Sequence, residues 1–271
     1  MSQDKVWLGS VLHTDNGALW YSCGRWGVSS DHFMFPAILG YVPVVSFAQP
    51  GPESQFLSTP TRDYWKVFDV PDNDYHTTLR LAIPFNGTAH PPLGKVVFLS
   101  KDSVCKILNP LEYLRPCMDT LPKQSLAIKM LAERANIPMS ALGVTGSTLV
   151  FGRPVERHEL DLLIVGKDNI AKFDITVNAL LREGLATHDA FYAQRFHLHG
   201  VTFDPQYDLF PTECHPLAEA SIEILDECTD IRVKIVDTCD AVLFPARYLA
   251  EENLILYSFR PGHRCLFSVG D

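Results

Sequence analysis

Two neighbouring stretches, Gly143-Val-Thr-Gly-Ser-Thr-Leu-Val-Phe-Gly152 and His158-Glu-Leu-Asp-Leu-Leu-Ile-Val-Gly166, decide the fold of this chain. The first predicts a short strand that leads into a Gly146-Ser147 turn, and the second predicts a buried strand over 160–165. A Gly-Ser pair between a strand and a helical turn exposes backbone N–H groups, which suit a phosphate together with the serine hydroxyl. The pattern therefore predicts a phosphate-binding turn beside a core strand.

The second stretch also carries two carboxylates, Glu159 and Asp161, separated by one residue. Side chains alternate between the two faces of a strand, so these carboxylates point to one face while Leu160 and Leu162 point to the other, into the core. Paired carboxylates on one face can share Mg²⁺ ions, which are hard cations that prefer oxygen ligands. A two-metal site of this kind can activate an attacking hydroxyl and stabilise a leaving pyrophosphate.

A Gly-Ser turn followed about a dozen residues later by an acidic-x-acidic strand resembles the DNA-polymerase-β-like nucleotidyltransferase superfamily. The resemblance implies that the turn holds the triphosphate of a nucleotide, and that the acidic pair and a third carboxylate on a later strand bind two Mg²⁺ ions, with Mn²⁺ as a possible substitute. It assigns phosphate binding to Gly146 and Ser147. Thr148, the next residue of the turn, is a further nucleotide-binding candidate, and so is Arg195, which could pair with a triphosphate or simply be solvated at the start of a strand. The resemblance assigns catalysis and metal binding to Glu159, Asp161 and Asp204.

The third carboxylate has two candidates in Gly200-Val-Thr-Phe-Asp-Pro-Gln-Tyr-Asp208. A strand is predicted over 195–204, and we favour Asp204 because it follows the alternating apolar positions Val201 and Phe203. Asp208 is the alternative. In the superfamily this carboxylate can also act as general base for the acceptor hydroxyl.

The likeness extends to the whole chain, which resembles a poorly described, mainly archaeal family of predicted nucleotidyltransferases. Its members place a β-rich region before the motif Gly-Val-Thr-Gly-Ser and a β-rich tail after the catalytic domain. Two features depart from the pattern: Glu159 stands where most members have Asp, and four residues rather than three separate Ser147 from Gly152. Glutamate reaches one methylene further, which shifts the expected metal geometry.

The expected fold class is α+β, with a nucleotidyltransferase core of the polymerase-β type between two β-rich regions. The predicted regions are 1–110 (β-rich, its aromatic residues filling a core), 111–212 (the nucleotidyltransferase core) and 213–271 (a small β-rich appendage). Helical spacing of apolar residues predicts helices over 123–136 and 168–181 in the central region. His197 and His199, on the strand predicted over 195–204, are interpreted as surface or hydrogen-bonding histidines rather than zinc ligands.

The composition of the chain argues against several classes of function and location. The net charge is −9 and there is no run of Lys or Arg, which argues against extended non-specific nucleic-acid binding. Seven cysteines without a C-x-x-C pair indicate a reducing compartment, and no signal peptide or membrane span is recognisable, so a cytoplasmic protein is expected.

The sequence thus predicts an enzyme that moves a nucleoside monophosphate from a triphosphate such as ATP to a hydroxyl acceptor, with release of pyrophosphate. The acceptor is open between a protein, an RNA end and a small molecule. The alternative is a weakly active or inactive nucleotide-binding module of the same fold.

Overall fold

The structure is a computed structural model of the 271-residue chain. It describes residues 6–24, 34–45, 55–59, 62–67, 87–89, 95–152, 159–190, 192, 194–213, 217, 232–258 and 267–270. These residues form a mixed α+β structure, which confirms the predicted class. The chain divides into two compact units: unit 1 comprises Met1–Val11 and Leu108–Cys214, and unit 2 comprises Leu12–Ile107 and His215–Asp271.

The division predicted at 110 and 212 stays a prediction, and the two units differ from it in two respects. The N-terminal and C-terminal β-rich regions share unit 2, and the residues before Leu12 join unit 1. Among the described residues, no helix has both the length and the apolar character needed to cross a membrane.

Most of an eight-stranded sheet lies in unit 2. Its strands are β1 (Leu8–Thr14), β2 (Leu19–Cys23), β3 (Met34–Pro43), β4 (Gln55–Ser58), β5 (Asp63–Lys66), β6 (Gly87–Ala89), β7 (Val96–Ser100) and β8 (Val104–Leu108). The order is β4-β5-β3-β2-β1-β8, and β7 joins β3 to β6. Trp20 and Tyr41 are among the largest fully buried side chains, so aromatic residues fill this core as predicted.

Unit 2 also contains a small antiparallel sheet near the C-terminus. Its strands are β14 (Ile235–Asp237), β15 (Ala246–Ala250) and β16 (Ile255–Ser258). A buried cluster around Tyr248 and Ala246 forms its core. The described part of the tail is therefore β-structure, as the sequence predicts.

Unit 1 is built on a five-stranded mixed sheet in the order β11-β12-β13-β10-β9. Its strands are β9 (Leu142–Val144), β10 (Glu159–Val165), β11 (Ala186–His188), β12 (Phe196–Leu198) and β13 (Val201–Asp208). Its helices are α1 (Pro110–Thr120), α2 (Pro122–Ala135), α3 (Gly146–Phe151) and α4 (Lys167–Arg182). Among the described strands of this sheet, β10 and β13 are the one parallel pair, and the chain crosses from one to the other through α4, β11 and β12.

The helices begin and end where local chemistry allows it. Pro122 opens α2, since a proline at the first helical position loses no intrahelical hydrogen bond. Asn136, in the left-handed conformation at φ 52°, ends the same helix. The side chain of Asn109 caps α1 by accepting the N–H of Leu111 at 3.0 Å. The sequence pattern predicts α2 and α4 but not α1.

The prediction of one strand over 195–204 is wrong. This stretch forms the antiparallel pair β12 and β13, which are joined at His199 and Gly200, both with positive φ. His197 therefore lies on β12 and His199 lies in the turn, so the two histidines are not on one strand. His197 Nδ1 lies 2.9 Å from the hydroxyl of Thr202, and His199 Nε2 lies 3.2 Å from the sulfur of Met130.

Candidate metal-binding active site

Strand β10 presents two carboxylates on one face and its apolar side chains on the other. Glu159 and Asp161 are half-buried, whereas Leu160 and Leu162 are completely buried. The alternation is the one that the sequence predicts, because a strand with one covered face must place every second residue in the core. The two carboxylates therefore share the open face of the sheet.

The neighbouring strand β13 supplies a third carboxylate. In the parallel register Asp161 lies opposite Asp204, and Glu159 lies opposite Thr202. Residues that are opposite each other in a parallel pair project from the same face, so Asp204 joins the pair on β10. Each of the three residues offers one carboxylate oxygen, and these three oxygens all lie within 4.8 Å of one another.

Asp208, the alternative third carboxylate, lies four residues further along β13, opposite Val165. Its Oδ2 accepts the backbone N–H of Leu8 at 2.8 Å, and its Oδ1 accepts that of Leu209 at 2.8 Å. Asp208 is buried, and both oxygens bond to backbone donors. The structure thus brings Asp204 to the acidic pair and places Asp208 in a separate, structural position.

The Gly-Ser turn packs against the same carboxylates. The backbone N–H of Thr145 donates to the carbonyl of Asp161 at 2.9 Å, which joins the end of β9 to β10. Gly146 follows with φ +60°, and a Cβ added to it would lie 1.8 Å from Oδ2 of Asp161. Only glycine fits this position, since it has no Cβ and tolerates positive φ. The turn therefore lies directly over the Asp161 carboxylate.

The next two residues of the turn, Ser147 and Thr148, differ in how far their side chains are buried. Both lie in the first turn of α3, where backbone N–H groups point away from the helix end. Ser147 is half-buried, but the side chain of Thr148 is completely buried. Within the described part of the chain, Oγ1 of Thr148 has no hydrogen-bond partner. A phosphate contact from Thr148 would therefore come from its backbone and not from its hydroxyl.

Arg195 lies among the carboxylates. Its Nη2 is 2.7 Å from Oε1 of Glu159 and 2.8 Å from Oδ2 of Asp204, and its Nε donates to the same Asp204 oxygen at 2.9 Å. Burial alone would lower the pKa of Arg195, but the nearby carboxylates of Asp204, Glu159 and Asp161 together raise that pKa above its usual value. The guanidinium therefore remains charged and neutralises part of the site.

Among the residues that the structure describes, three further side chains contact Arg195 or Asp204 and are not predicted from the sequence. The ring of Tyr192 lies 4.0 Å from Cζ of Arg195, within cation–π range. Gln194 and Gln206 each place their amide nitrogen 3.4 Å from Oδ1 of Asp204. The position of Gln206 could have been predicted from the sequence, because it lies two residues after Asp204 and so faces the same side of β13.

The donor set fits a hard divalent cation. Three carboxylates converge, and carboxylate oxygens are the protein ligands that Mg²⁺ and Mn²⁺ prefer. The three carboxylates carry a charge of −3 and Arg195 carries +1, so the cluster keeps two negative charges. Glu159, Asp161 and Asp204 are the residues that would hold the ion.

Comparisons of the chain with protein-family models, with curated proteins and with solved structures found no match. The geometry of the carboxylates and of the turn is therefore the basis for assigning a function.

Proposed function

We propose that this chain is a metal-dependent nucleotidyltransferase and that the five-stranded sheet of unit 1 is a nucleotidyltransferase core of the polymerase-β type. The observation that carries the proposal is the convergence of Glu159, Asp161 and Asp204 beneath the Gly146 turn. The parts occur in the order that the resemblance implies: a Gly-Ser turn after a strand, an acidic pair on the next strand, and a third carboxylate on a later strand.

In the proposed reaction, the oxygen of an acceptor hydroxyl forms a bond to the α-phosphorus of a nucleoside triphosphate. The bond from that phosphorus to the oxygen that bridges it to the β-phosphate breaks, and pyrophosphate leaves with the electron pair. Bound divalent cations would stabilise the negative charge that develops on the attacking and leaving oxygens.

The residues of the chain have separate tasks in this scheme. The backbone of the turn at Gly146 and Ser147 holds phosphate oxygens. Glu159 and Asp161 hold the metal ions. Asp204 completes the metal site and is the carboxylate assigned to accept the proton of the acceptor hydroxyl.

A substitution at Asp161 tests the proposal. Wild-type protein is incubated with each α-labelled nucleoside triphosphate and Mg²⁺ or Mn²⁺, and label transfer, pyrophosphate release and product masses are measured. Asp161→Asn is expected to lower pyrophosphate release on the order of 100-fold or more, as is typical when one electrostatic group of an active site is removed. Asp168→Asn, which makes the same charge change at an exposed position in the first turn of α4, is the control. Equal activity of Asp161→Asn and wild type would refute the assignment.

One observation favours a second candidate, a nucleotide-binding module without transferase activity. Arg195 already bridges Glu159 and Asp204, and a permanent internal cation would substitute for the charge of a metal ion. The two candidates differ in a simple measurement. A module would bind a triphosphate by calorimetry without releasing pyrophosphate, whereas the enzyme would do both.

A further inference from the structure

We propose that Arg195 couples metal binding to triphosphate binding: its guanidinium closes the carboxylate cluster in the metal-free protein and would bind the phosphates once the carboxylates hold an ion. This inference rests on the proposed function and adds a role for one residue that the acidic cluster alone does not define. Arg195 is then a positioning residue in the metal-free protein and a phosphate-binding residue afterwards.

The first step is competition for the same oxygens. Nη2 of Arg195 lies 2.7 Å from Oε1 of Glu159 and 2.8 Å from Oδ2 of Asp204. Because Mg²⁺–oxygen distances are about 2.0–2.1 Å, an ion bound by either oxygen would lie within about 5 Å of that nitrogen. Two cations at this separation repel each other in a partly desolvated site, so occupancy by the ion disfavours occupancy by the guanidinium.

The second step is the freedom of Arg195 to leave. Backbone hydrogen bonds fix its main chain: its N–H donates to the carbonyl of Tyr192 at 3.0 Å, and its carbonyl accepts the N–H of Asp189 at 3.0 Å. The side chain itself is 22% exposed, and the neighbouring residue Tyr192 is 54% exposed. Release of the guanidinium therefore breaks none of these backbone hydrogen bonds, and the side chain is already partly exposed.

The third step is where the released guanidinium binds. Its planar fork of donors matches phosphate oxygens as well as it matches carboxylates. Gly146 packs on Asp161, and Asp161 lies opposite Asp204 in the strand register. The turn and the Asp204 carboxylate that binds Arg195 therefore lie on one face of the sheet. A triphosphate held by the turn would therefore have its charge close to the released guanidinium.

This coupling gives one variant two effects of opposite sign. Arg195→Gln removes the competitor, so free Mn²⁺ is expected to bind about tenfold more tightly to the full-length chain, a typical coupling between sites. The same variant lacks the phosphate ligand, so the Mn²⁺–tripolyphosphate complex is expected to bind about tenfold more weakly. A residue that only supports the fold would weaken both.

The experiment measures free Mn²⁺ by electron paramagnetic resonance and binding of the Mn²⁺–tripolyphosphate complex by calorimetry. Arg134→Gln is the matched control, because it removes one positive charge from unit 1 at an exposed ion pair with Glu183. Neither affinity is expected to change in the control.

Each outcome decides the question. If wild type and Arg195→Gln bind Mn²⁺ equally, the coupling is refuted while the proposed function stands. If neither protein binds Mn²⁺, both fail together. Should Arg195→Gln not fold, wild type labelled with ¹⁵N-arginine is titrated with Mg²⁺. The Nε–H resonance of Arg195, assigned through its loss in Arg195→Lys, is expected to shift, and a resonance that does not move at saturating Mg²⁺ overturns the proposal.

Discussion

Gly146→Ala tests whether the turn and the acidic strand form one packed site. Gly146 has φ +60°, and an added Cβ would lie 1.8 Å from Oδ2 and 2.7 Å from Cγ of Asp161. An ordinary contact begins near 3.4 Å, so the Asp161 carboxylate or the turn must move by more than 1 Å. The substitution therefore acts on the site through packing, without changing its charge.

The magnitude follows from two separate costs. A left-handed backbone costs a residue with a Cβ about 1–2 kcal/mol relative to glycine. Overpacking against Asp161 adds about 1–3 kcal/mol. Gly146→Ala is therefore expected to lower the free energy of unfolding by about 2–5 kcal/mol and to weaken Mn²⁺ binding.

The chain offers a matched control in Gly200. This glycine also has positive φ, at +74°, but an added Cβ would meet nothing within 4 Å. Gly200→Ala should therefore cost only the backbone term of about 1–2 kcal/mol. Urea unfolding followed by tryptophan fluorescence measures both variants, and Mn²⁺ binding is measured on each. If Gly146→Ala is no less stable than Gly200→Ala and binds Mn²⁺ like wild type, the packing of the turn on Asp161 is refuted.

Two further predictions concern other titratable groups. Asp208→Asn is expected to cost about 1–3 kcal/mol of stability, because an amide N–H₂ would face a backbone N–H such as that of Leu8, while Mn²⁺ still binds. Asp204→Asn is expected to weaken Mn²⁺ binding. Urea unfolding and Mn²⁺ titration of both variants check this pair, and retained Mn²⁺ affinity in Asp204→Asn would contradict it. Burial, and then Lys106, lower the pKa of His13 from 6.5 to about 4. The stability that neutral His13 contributes is thus complete above pH 6.5 and is lost as the pH falls towards 4. His13→Gln should therefore flatten the dependence of the urea midpoint on pH between these values. An unchanged slope in the variant would contradict the assignment.

The part of the site on one strand was predictable from the sequence. Glu159 and Asp161 face together because strand side chains alternate, and that alternation needs no knowledge of the rest of the fold. Asp204 followed from the same rule even though its strand begins at Val201 rather than at Arg195. Local periodicity was therefore sufficient for Glu159 and Asp161, whereas the need for a third carboxylate came from the resemblance, and periodicity alone left Asp208 as an alternative to Asp204.

The partners of these residues were not predictable, because they depend on contacts that are remote in sequence. The ion pairs of Arg195 with Glu159 and Asp204 require the hairpin that turns at His199 and Gly200. A positive φ at His199 is uncommon for a residue with a side chain, so only the following glycine indicated the turn.

Helix α1 was missed for a different reason. It contains Pro116, which normally argues against a helix interior. The readable signal lay at its start, where Asn109 and Pro110 form a favourable cap and first position. The helix begins where Asn109 and Pro110 indicate, and it continues through Pro116.

The hydrogen bond from Leu8 to Asp208 has a consequence for the order in which the protein is made. These two residues are 200 positions apart in the chain and belong to the same compact unit. At roughly 5–20 residues per second, the ribosome needs about 10–40 s after it makes Leu8 before it makes Asp208. During that interval the strand that starts at Leu8 emerges without its acceptor on β13. Unit 1 can therefore close only near the end of its own synthesis, and a fragment that starts at Leu108 would lack a donor that its buried aspartate uses.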